Sequence, residues 1–289
     1  MQLSVIVPAF NEAANIEATV NRLRTYLDGE QLSWEIIVVD DGSSDETVGV
    51  VAAIAASDAR VRITLGSRKG KGAAVKRGML EALGAWRFMA DADLSMPPDN
   101  IGRFFSALRE APSTDVLIGS REAIGARRVG EPWRRHVAGR LFNYVAQALG
   151  VPGIRDTQCG FKMFSADSAR ALFPLSTIDG FAFDVEVLFL ARRLGFTVRE
   201  VGIEWHCRVD SRVSLWRGVA AFADILRVRW NAVRGKYKSG HPLASERGPR
   251  TKDRPRTKDG PRTKDGPRTK DGPRTKDGLR TKDGPSTAA

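Results

Sequence analysis

The sequence has few cysteines and no long apolar run. These features argue against a disulfide-rich protein and against a membrane-spanning helix. Its 289 residues include two cysteines, Cys159 and Cys207, which are far apart and form no metal-spaced cluster. Such usage is typical of a reduced compartment rather than of a disulfide framework. No stretch approaches the ~20 apolar residues that a membrane-spanning helix needs. The N-terminal residues are strand-like and lack the basic and apolar regions of a signal peptide, so we expect no secretory leader.

Apolar residues are also scarce in the C-terminal part of the chain. From Arg250 the sequence runs through six hexads of the type RTKDGP, whose only apolar residues are Pro and one Leu. Such a segment cannot form a core, so we predict a disordered tail over residues 241–289. Residues 250–285 carry seven Arg and six Lys against six Asp, and thus most of the chain's net charge of +12. Because the hexads lack aromatic residues that could stack on bases, the charge gives little support to nucleic-acid binding.

Residues 1–240 are enough for one sizeable domain. Short runs rich in β-branched residues predict buried strands, and apolar residues at helical spacing between them predict helices. This alternation with short links predicts an α/β fold, a mostly parallel sheet covered by helices on both faces. The predicted strands are Leu3–Phe10, Trp34–Asp40, Val61–Leu65, Trp86–Ala90, Asp115–Ser120 and Val198–Trp205, and the predicted helices are residues 11–27, 70–83, 134–149, 183–195 and 215–237. Two further helices are predicted by their starts, one capped by Ser44 or Asp45 and one that begins at Pro97 and Pro98.

Four of these strands end in stretches that contain polar or acidic residues, at the edge where ligands bind in parallel sheets. The stretches are Pro8 to Glu12, the pair Asp40 and Asp41, the pair Asp91 and Asp93, and Ser120 with Arg121.

Asp91 and Asp93 follow the apolar run of residues 86–90. Alternate residues of a strand point the same way, so the two carboxylates can converge on one point. Convergent carboxylates suit a hard divalent cation that also holds a diphosphate. The alternative interpretation is a solvated acidic turn.

Six stretches, in order along the chain, resemble a known family. They are VIVPAFNE from Val5, VVDDGSSD from Val38, GKG from Gly70, DAD from Asp91, GSR from Gly119 and DTQCGFK from Asp156. The sequence resembles glycosyltransferase family 2, and within it the polyprenyl- and dolichyl-phosphate hexose synthases. The dolichyl-phosphate β-glucosyltransferase type fits best, and the mannose synthase type is next. The resemblance implies a GT-A (Rossmann-like) fold, a nucleotide-sugar donor, a divalent metal and inversion at the anomeric carbon.

The resemblance also implies roles for residues near the donor nucleotide. Pro8, Phe10 and Glu12 would line the base and ribose, and Asp40 or Asp41 would accept hydrogen bonds from them. The alternative for each is an ordinary turn between a strand and a helix.

The resemblance places the reacting groups after the fourth strand. Asp93 would bind Mg²⁺ or Mn²⁺ directly, and Asp91 would bind it or contact the sugar. Ser95 stands where many relatives have Gln, so we expect donor phosphate oxygens and water to complete the metal's shell. Lys71, at a glycine-opened helix start, would contact the donor phosphates, and the alternative is simple helix capping.

Later residues are candidates for the phosphates and the acceptor. Arg121 would reach a phosphate, and Arg208 and Arg212 resemble a basic loop that closes over the phosphates. Asp156 and Asp184 are candidates near the acceptor. Because a lipid phosphate is already mostly anionic at neutral pH, no strong general base is required.

The expected function is transfer of a hexose, glucose from UDP-glucose first, to a polyprenyl or dolichyl phosphate. The amphipathic helix Leu215–Tyr237, with its basic flanks, would lie peripherally on the cytoplasmic face of a membrane, or else pack on its own domain. GDP-mannose as donor and a non-lipid acceptor remain alternatives. A nucleotidyltransferase would need a Gly-rich, basic loop after the first strand, and residues 8–12 are not one.

Overall fold

The computed structural model describes residues 1–93, 95–130, 140, 143, 144, 147, 151–207, 224 and 226–237. Arg208, Arg212, the hexads, most of the predicted helix 134–149 and ten residues of the predicted helix 215–237 lie outside the described residues. The domain boundaries given above therefore stay predictions.

The described strands form two sheets. The strands are β1 (Leu3–Ala9), β2 (Trp34–Asp40), β3 (Val61–Leu65), β4 (Trp86–Met89), β5 (Val116–Ser120), β6 (Arg127–Val129), β7 (Lys162–Ser165), β8 (Val198–Gly202) and β9 (Glu204–His206). Seven of them form a central sheet in the order β3-β2-β1-β4-β7-β5-β8, and β6 pairs with β9. Within the central sheet β7 alone runs antiparallel, between β4 and β5. The predicted mostly parallel α/β fold is confirmed.

Helices cover both faces of the central sheet. They are α1 (Ile16–Gly29), α2 (Thr47–Ser57), α3 (Lys71–Glu81), α4 (Asn100–Glu110), α5 (Ala166–Leu172) and α6 (Phe183–Arg193), with a 3₁₀ turn at Phe173–Leu175. Successive residues of a strand point to opposite faces. In β1, Val5 and Val7 accordingly pack with α1, α2 and α4, while Ile6 packs with α3, α5 and α6.

The connections place a crevice between β1 and β4. From β1 the chain moves outward through β2 to β3, and then returns to the other side of β1 as β4. Such a switch point in an open sheet is where ligands bind, outside the carboxyl ends of the strands. The residues that follow β1 and β4 therefore border one crevice.

Two predicted boundaries were wrong for local reasons. The first helix begins at Ile16 rather than at residue 11, because Asn11 has a left-handed backbone (φ 53°) that a helix cannot include. The predicted strand Val198–Trp205 is divided into β8 and β9, which belong to different sheets. At the break Gly202 lies against the carbonyl of Ile124, where a β-carbon would approach to 2.3 Å.

No helix in the described part of the chain is long and apolar enough to cross a bilayer.

Candidate active site

Asp91 lies just beyond β4 and forms an ion pair with Lys71. The Lys71 ammonium is 2.6 Å from Asp91 Oδ1, and both side chains are partly exposed. Burial by itself lowers the pKa of Lys71, but Asp91, Asp184 and Asp93 outweigh it, so the pKa is raised. Lys71 therefore carries a positive charge at neutral pH, and acidic groups from two elements converge on it.

The position of Asp91 is fixed from behind by Gly160. A β-carbon on Gly160 would lie 1.8 Å from Asp91 Oδ2, so a side chain at this position would have to displace the carboxylate. On the other side Thr19 of α1 donates a hydrogen bond to the carbonyl of Ala92 at 2.5 Å. Neither contact is visible in the sequence, because Gly160 and Thr19 both lie far from Asp91 along the chain.

Asp93 lies in the turn after β4, where its Oδ1 accepts a hydrogen bond from the Ser95 N–H at 2.9 Å. The strand ends at Met89, so the expected convergence through strand alternation was wrong. Both carboxylates instead lie close enough to Lys71 to raise its pKa.

The two aspartates supply oxygen ligands of the kind that Mg²⁺ and Mn²⁺ prefer. Among the described residues no group of three or more His, Cys, Asp or Glu side chains could hold a metal ion. The two aspartates alone would fill only part of the shell of such a cation. Of the two, Asp91 is the one that pairs with Lys71.

Asp184 on α6 continues the charge pattern into the core. It pairs with Lys162 of β7 at 2.6 Å, and both side chains are almost fully buried. Burial raises the pKa of Asp184, and the ammonium groups of Lys162 and Lys71 offset this only in part. Lys162, Asp184, Lys71 and Asp91 therefore form a row of alternating charge, and the sequence did not reveal Lys162 as its buried end.

The amides at the start of α3 are already used within the protein. Gly72 N–H donates to the carbonyl of Asp179 at 2.7 Å, and Ala73 N–H donates to the same oxygen at 3.3 Å. Gly70 has φ 124° and lies against that carbonyl, where a β-carbon would approach to 2.6 Å. The alternative of helix capping therefore holds for these two amides, and Lys71 contributes its side chain to the site.

Asp40 and Asp41 organise the loops beside the crevice. Asp40 is the buried last residue of β2, and its Oδ2 accepts hydrogen bonds from the N–H groups of Gly42 and Ser43 at 2.9 and 3.0 Å. Asp41 accepts from the N–H groups of Lys69 and Gly70 at 2.9 and 2.7 Å. Both carboxylates thus bind their own backbone, and Asp41 fixes the residue that precedes Lys71.

Pro8, Phe10 and Glu12 lie at the end of β1 and in the loop after it. Pro8 is buried, while Phe10 and Glu12 are partly exposed. The Arg68 guanidinium lies 5.2 Å from the centre of the Phe10 ring. Glu12 accepts a hydrogen bond from Asn15 at 3.0 Å. These positions follow β1 on the side of the crevice.

Arg121 and Asp156 form a buried pair at the end of β5. Arg121 Nε and Nη2 donate to the two oxygens of Asp156 at 2.7 and 2.9 Å, and Arg121 N–H donates at 3.0 Å. Burial raises the pKa of Asp156, but Arg121 outweighs this and holds the pKa below its usual range. This geometry favours Asp156 as the residue that positions Arg121, whose guanidinium also lies over the Trp205 ring.

Comparison with known protein families gives a match between residues 4–173 and glycosyl transferase family 2. The matched region includes β1 to β7 and the strand-end residues Asp91 and Asp93. The chain belongs to this family. It is a glycosyltransferase, and the resemblance described from the sequence is confirmed.

Named relatives are similar over most of the chain. Dolichyl-phosphate beta-glucosyltransferase of Dictyostelium discoideum is 34% identical over 250 residues, covering 82% of this chain and 76% of the relative. The Homo sapiens protein of that name is 30% identical over 251 residues, covering 82% of this chain and 78% of the relative.

Solved structures share the fold of the glycosyltransferase. Glucosyl-3-phosphoglycerate synthase from Mycobacterium tuberculosis, crystallised with Mn²⁺, UDP and glucosyl-3-phosphoglycerate, aligns with a TM-score of 0.59 and 20% identity. The alignment covers 78% of each chain. The same enzyme with UDP alone also gives a TM-score of 0.59, and it covers 80% of this chain and 79% of that structure.

Proposed function

We propose that the enzyme transfers glucose from UDP-glucose to a polyprenyl or dolichyl phosphate, with inversion and with a divalent cation. The observation that carries this proposal is the convergence of Asp91, Asp93 and Lys71 at the crevice between β1 and β4. The names of the relatives support the donor sugar and the lipid phosphate acceptor.

The chemistry needs little more than positioning and charge. A phosphate oxygen of the acceptor attacks the anomeric carbon, and the bond from that carbon to the diphosphate breaks with its electron pair on the leaving group. The acceptor is already anionic near neutral pH, so no carboxylate must remove a proton. Mg²⁺ or Mn²⁺, when bound, would supply positive charge at the leaving diphosphate.

The residues of this chain have distinct tasks in the proposed reaction. Asp93 would hold the cation directly. Lys71 would place its ammonium group beside the departing negative charge, and Asp91 would orient Lys71 and contact the sugar or the cation. Arg121, held by Asp156, would face a phosphate. Pro8 and Phe10 would line the base.

The acceptor also implies a place for the enzyme. A polyprenyl phosphate lies in a bilayer, and nucleotide sugars are cytoplasmic metabolites. The enzyme would therefore act peripherally at the cytoplasmic face of a membrane.

A donor panel tests the proposal. UDP-glucose, GDP-mannose and UDP-N-acetylglucosamine are each assayed with a short-chain polyprenyl phosphate and with a non-lipid phosphate acceptor, with Mg²⁺, Mn²⁺ or a chelator. We expect UDP-glucose with the polyprenyl phosphate to give the highest kcat/KM, and the chelator to abolish transfer. A preference for GDP-mannose or for the non-lipid acceptor would contradict it.

Asp93→Asn tests the metal assignment in the same assay. Asn retains an oxygen that can accept from Ser95 N–H but removes the charge. Several kcal/mol of charge stabilisation correspond to at least about a 100-fold loss of turnover. The matched control is Asp167→Asn, since Asp167 is an exposed carboxylate that pairs with Arg170. Equal turnover of the two variants would show that Asp93 holds no metal.

A further inference from the structure

The helical residues 226–233 expose a stripe of large apolar side chains. Leu226 is 59% exposed, Trp230 55% and Val233 82%. On an α-helix these three positions fall within about 60° of arc, so they form one line along the surface. Single exposed apolar residues are ordinary, whereas three in one line on a single helix need an explanation.

The opposite side of the same segment packs on the domain. Val228 and Asn231 are 2% exposed, and Asn231 donates a hydrogen bond to Thr177 Oγ1 at 3.1 Å. Asp224 also faces inward, since its carboxylate lies 3.8 Å from the point that a β-carbon of Gly180 would occupy. The stripe is therefore the outward face of a segment that is fixed from behind.

Arginines lie on both sides of the stripe. Helical geometry places Arg229 on one side and Arg227 and Arg234 on the other. Arg227 and Arg229 line one shallow groove with the three apolar residues. The guanidinium of Arg234 lies 4.4 Å from the centre of the Trp230 ring. The apolar line is thus bordered by positive charge.

We propose that Leu226, Trp230 and Val233, with Arg227, Arg229 and Arg234, form a docking surface for an anionic lipid bilayer. A Trp-containing apolar line between cations matches the acyl boundary and the negative headgroups of such a surface. A specific protein interface involves about 20–30 residues a side, and this stripe offers far fewer. The proposal rests on the proposed function, because a lipid phosphate acceptor would require contact with a bilayer.

The docking surface is connected to the candidate active site by a short path. Asn231 contacts Thr177, and two residues further on the carbonyl of Asp179 caps the helix that begins with Lys71. Lys71 in turn pairs with Asp91. Docking at residues 226–233 would therefore bring the membrane near the residues that handle the phosphates.

Vesicle binding of the full-length chain tests the docking surface without donor or acceptor. Wild type, Val233→Glu and Leu83→Glu are sedimented with phosphatidylcholine vesicles that contain or lack phosphatidylserine. Leu83 is 73% exposed and does not belong to the docking surface, so Leu83→Glu is the matched control. Each of the two variants gains one negative charge and loses one exposed apolar side chain. We expect Val233→Glu to bind anionic vesicles about tenfold more weakly than Leu83→Glu, because one apolar contact with the bilayer is lost. All three proteins carry the same hexads, so the contribution of the hexads to vesicle binding cancels in the ratio of the two variants' affinities.

The outcomes separate the alternatives. Equal binding of the two variants would overturn the docking surface, and so would equal wild-type binding to neutral and anionic vesicles. A wild-type dimer that Val233→Glu dissociates would assign the stripe to a second copy of the chain and overturn the lipid proposal. Circular dichroism checks the folding of each variant, and Leu226→Glu provides a second substitution in the stripe. Failure of every donor in the transfer assay would overturn the proposed function and leave the vesicle result readable.

Discussion

Gly160 and Asp91 show how a single backbone contact can shape the site. The carboxylate of Asp91 lies where any side chain at position 160 would have to go. The close packing of Gly160 leaves Asp91 facing Lys71, and the ion pair follows from that placement. Position 160 is therefore part of the site although glycine carries no chemistry.

Gly160→Ala should lower turnover by at least about 100-fold, because the new methyl group displaces a carboxylate from a site where small misplacements are costly. The matched control is Gly29→Ala at the end of α1, where nothing lies within 4 Å of the new carbon. Gly29→Ala should keep full activity. Its free energy of unfolding should equal that of the wild type or exceed it by up to about 1 kcal/mol. An active Gly160→Ala enzyme would show that Asp91 need not occupy this position. Transfer assays and thermal unfolding measure both effects.

Asp156 makes stability depend on acid pH. Its pKa lies below the usual range, because Arg121 outweighs the effect of burial. A carboxyl with a depressed folded pKa stabilises the fold above its unfolded pKa of about 3.9, and the contribution is lost as the pH falls below that value.

Asp156→Asn should therefore be less stable than wild type at pH 7, by about 3 kcal/mol, because Arg121 loses a buried partner. The difference should shrink as the pH falls below about 4. Denaturant unfolding at several pH values measures this. Asp167→Asn, an exposed control, should follow the wild-type curve. A constant difference between Asp156→Asn and wild type would contradict the linkage.

At the scale of elements, α6 connects the C-terminal helical segment to the site through Glu186. Tyr237 OH and Thr177 Oγ1 each donate to Glu186 Oε1 at 2.7 Å, and the Thr177 and Ile178 N–H groups donate to Oε2 at 2.8 and 2.9 Å. Burial and then the bond to Glu186 raise the pKa of Tyr237 to about 12, so it remains a donor at neutral pH.

Glu186→Gln and Tyr237→Phe should each lower the free energy of unfolding by about 1–3 kcal/mol, the cost of disturbing buried hydrogen bonds. Because the two side chains are in contact, the double variant should lose less than the two losses combined, with a coupling of about 1 kcal/mol. Tyr237→Phe combined with the distant Asp167→Asn should instead be additive within about 0.5 kcal/mol. Additivity in the Glu186–Tyr237 pair would show that the hydrogen bond contributes nothing to stability.

At the scale of the whole molecule, the chain divides by composition into a domain and a basic tail. Removing residues 247–289 should leave thermal unfolding and transfer to a soluble acceptor analogue unchanged, because the hexads contain almost no apolar side chains. Binding to anionic vesicles should weaken and depend less on salt, because many positive charges are lost. Neutral vesicles provide the control. Loss of folding on truncation would contradict the predicted disorder.

The sequence by itself determined the layered fold and the edge that carries the site. Buried strands such as β1 and β2 are read directly, because a parallel sheet covered on both faces requires continuous apolar runs. Strand-end residues such as Asp91 were found for the same reason, since all parallel strands end at one edge.

Only the tertiary structure decided how the residues at that edge meet. The antiparallel β7 brings Lys162 and the loop with Gly160 between strands that are distant in sequence, and α6 brings Asp184 to Lys71. The pairing of Arg121 with Asp156 and the capping of α3 by Asp179 arise in the same way. Local sequence patterns report which residues are buried and which follow a strand. They do not report which distant backbone packs against a given carboxylate, because that depends on the order of strands in the finished sheet.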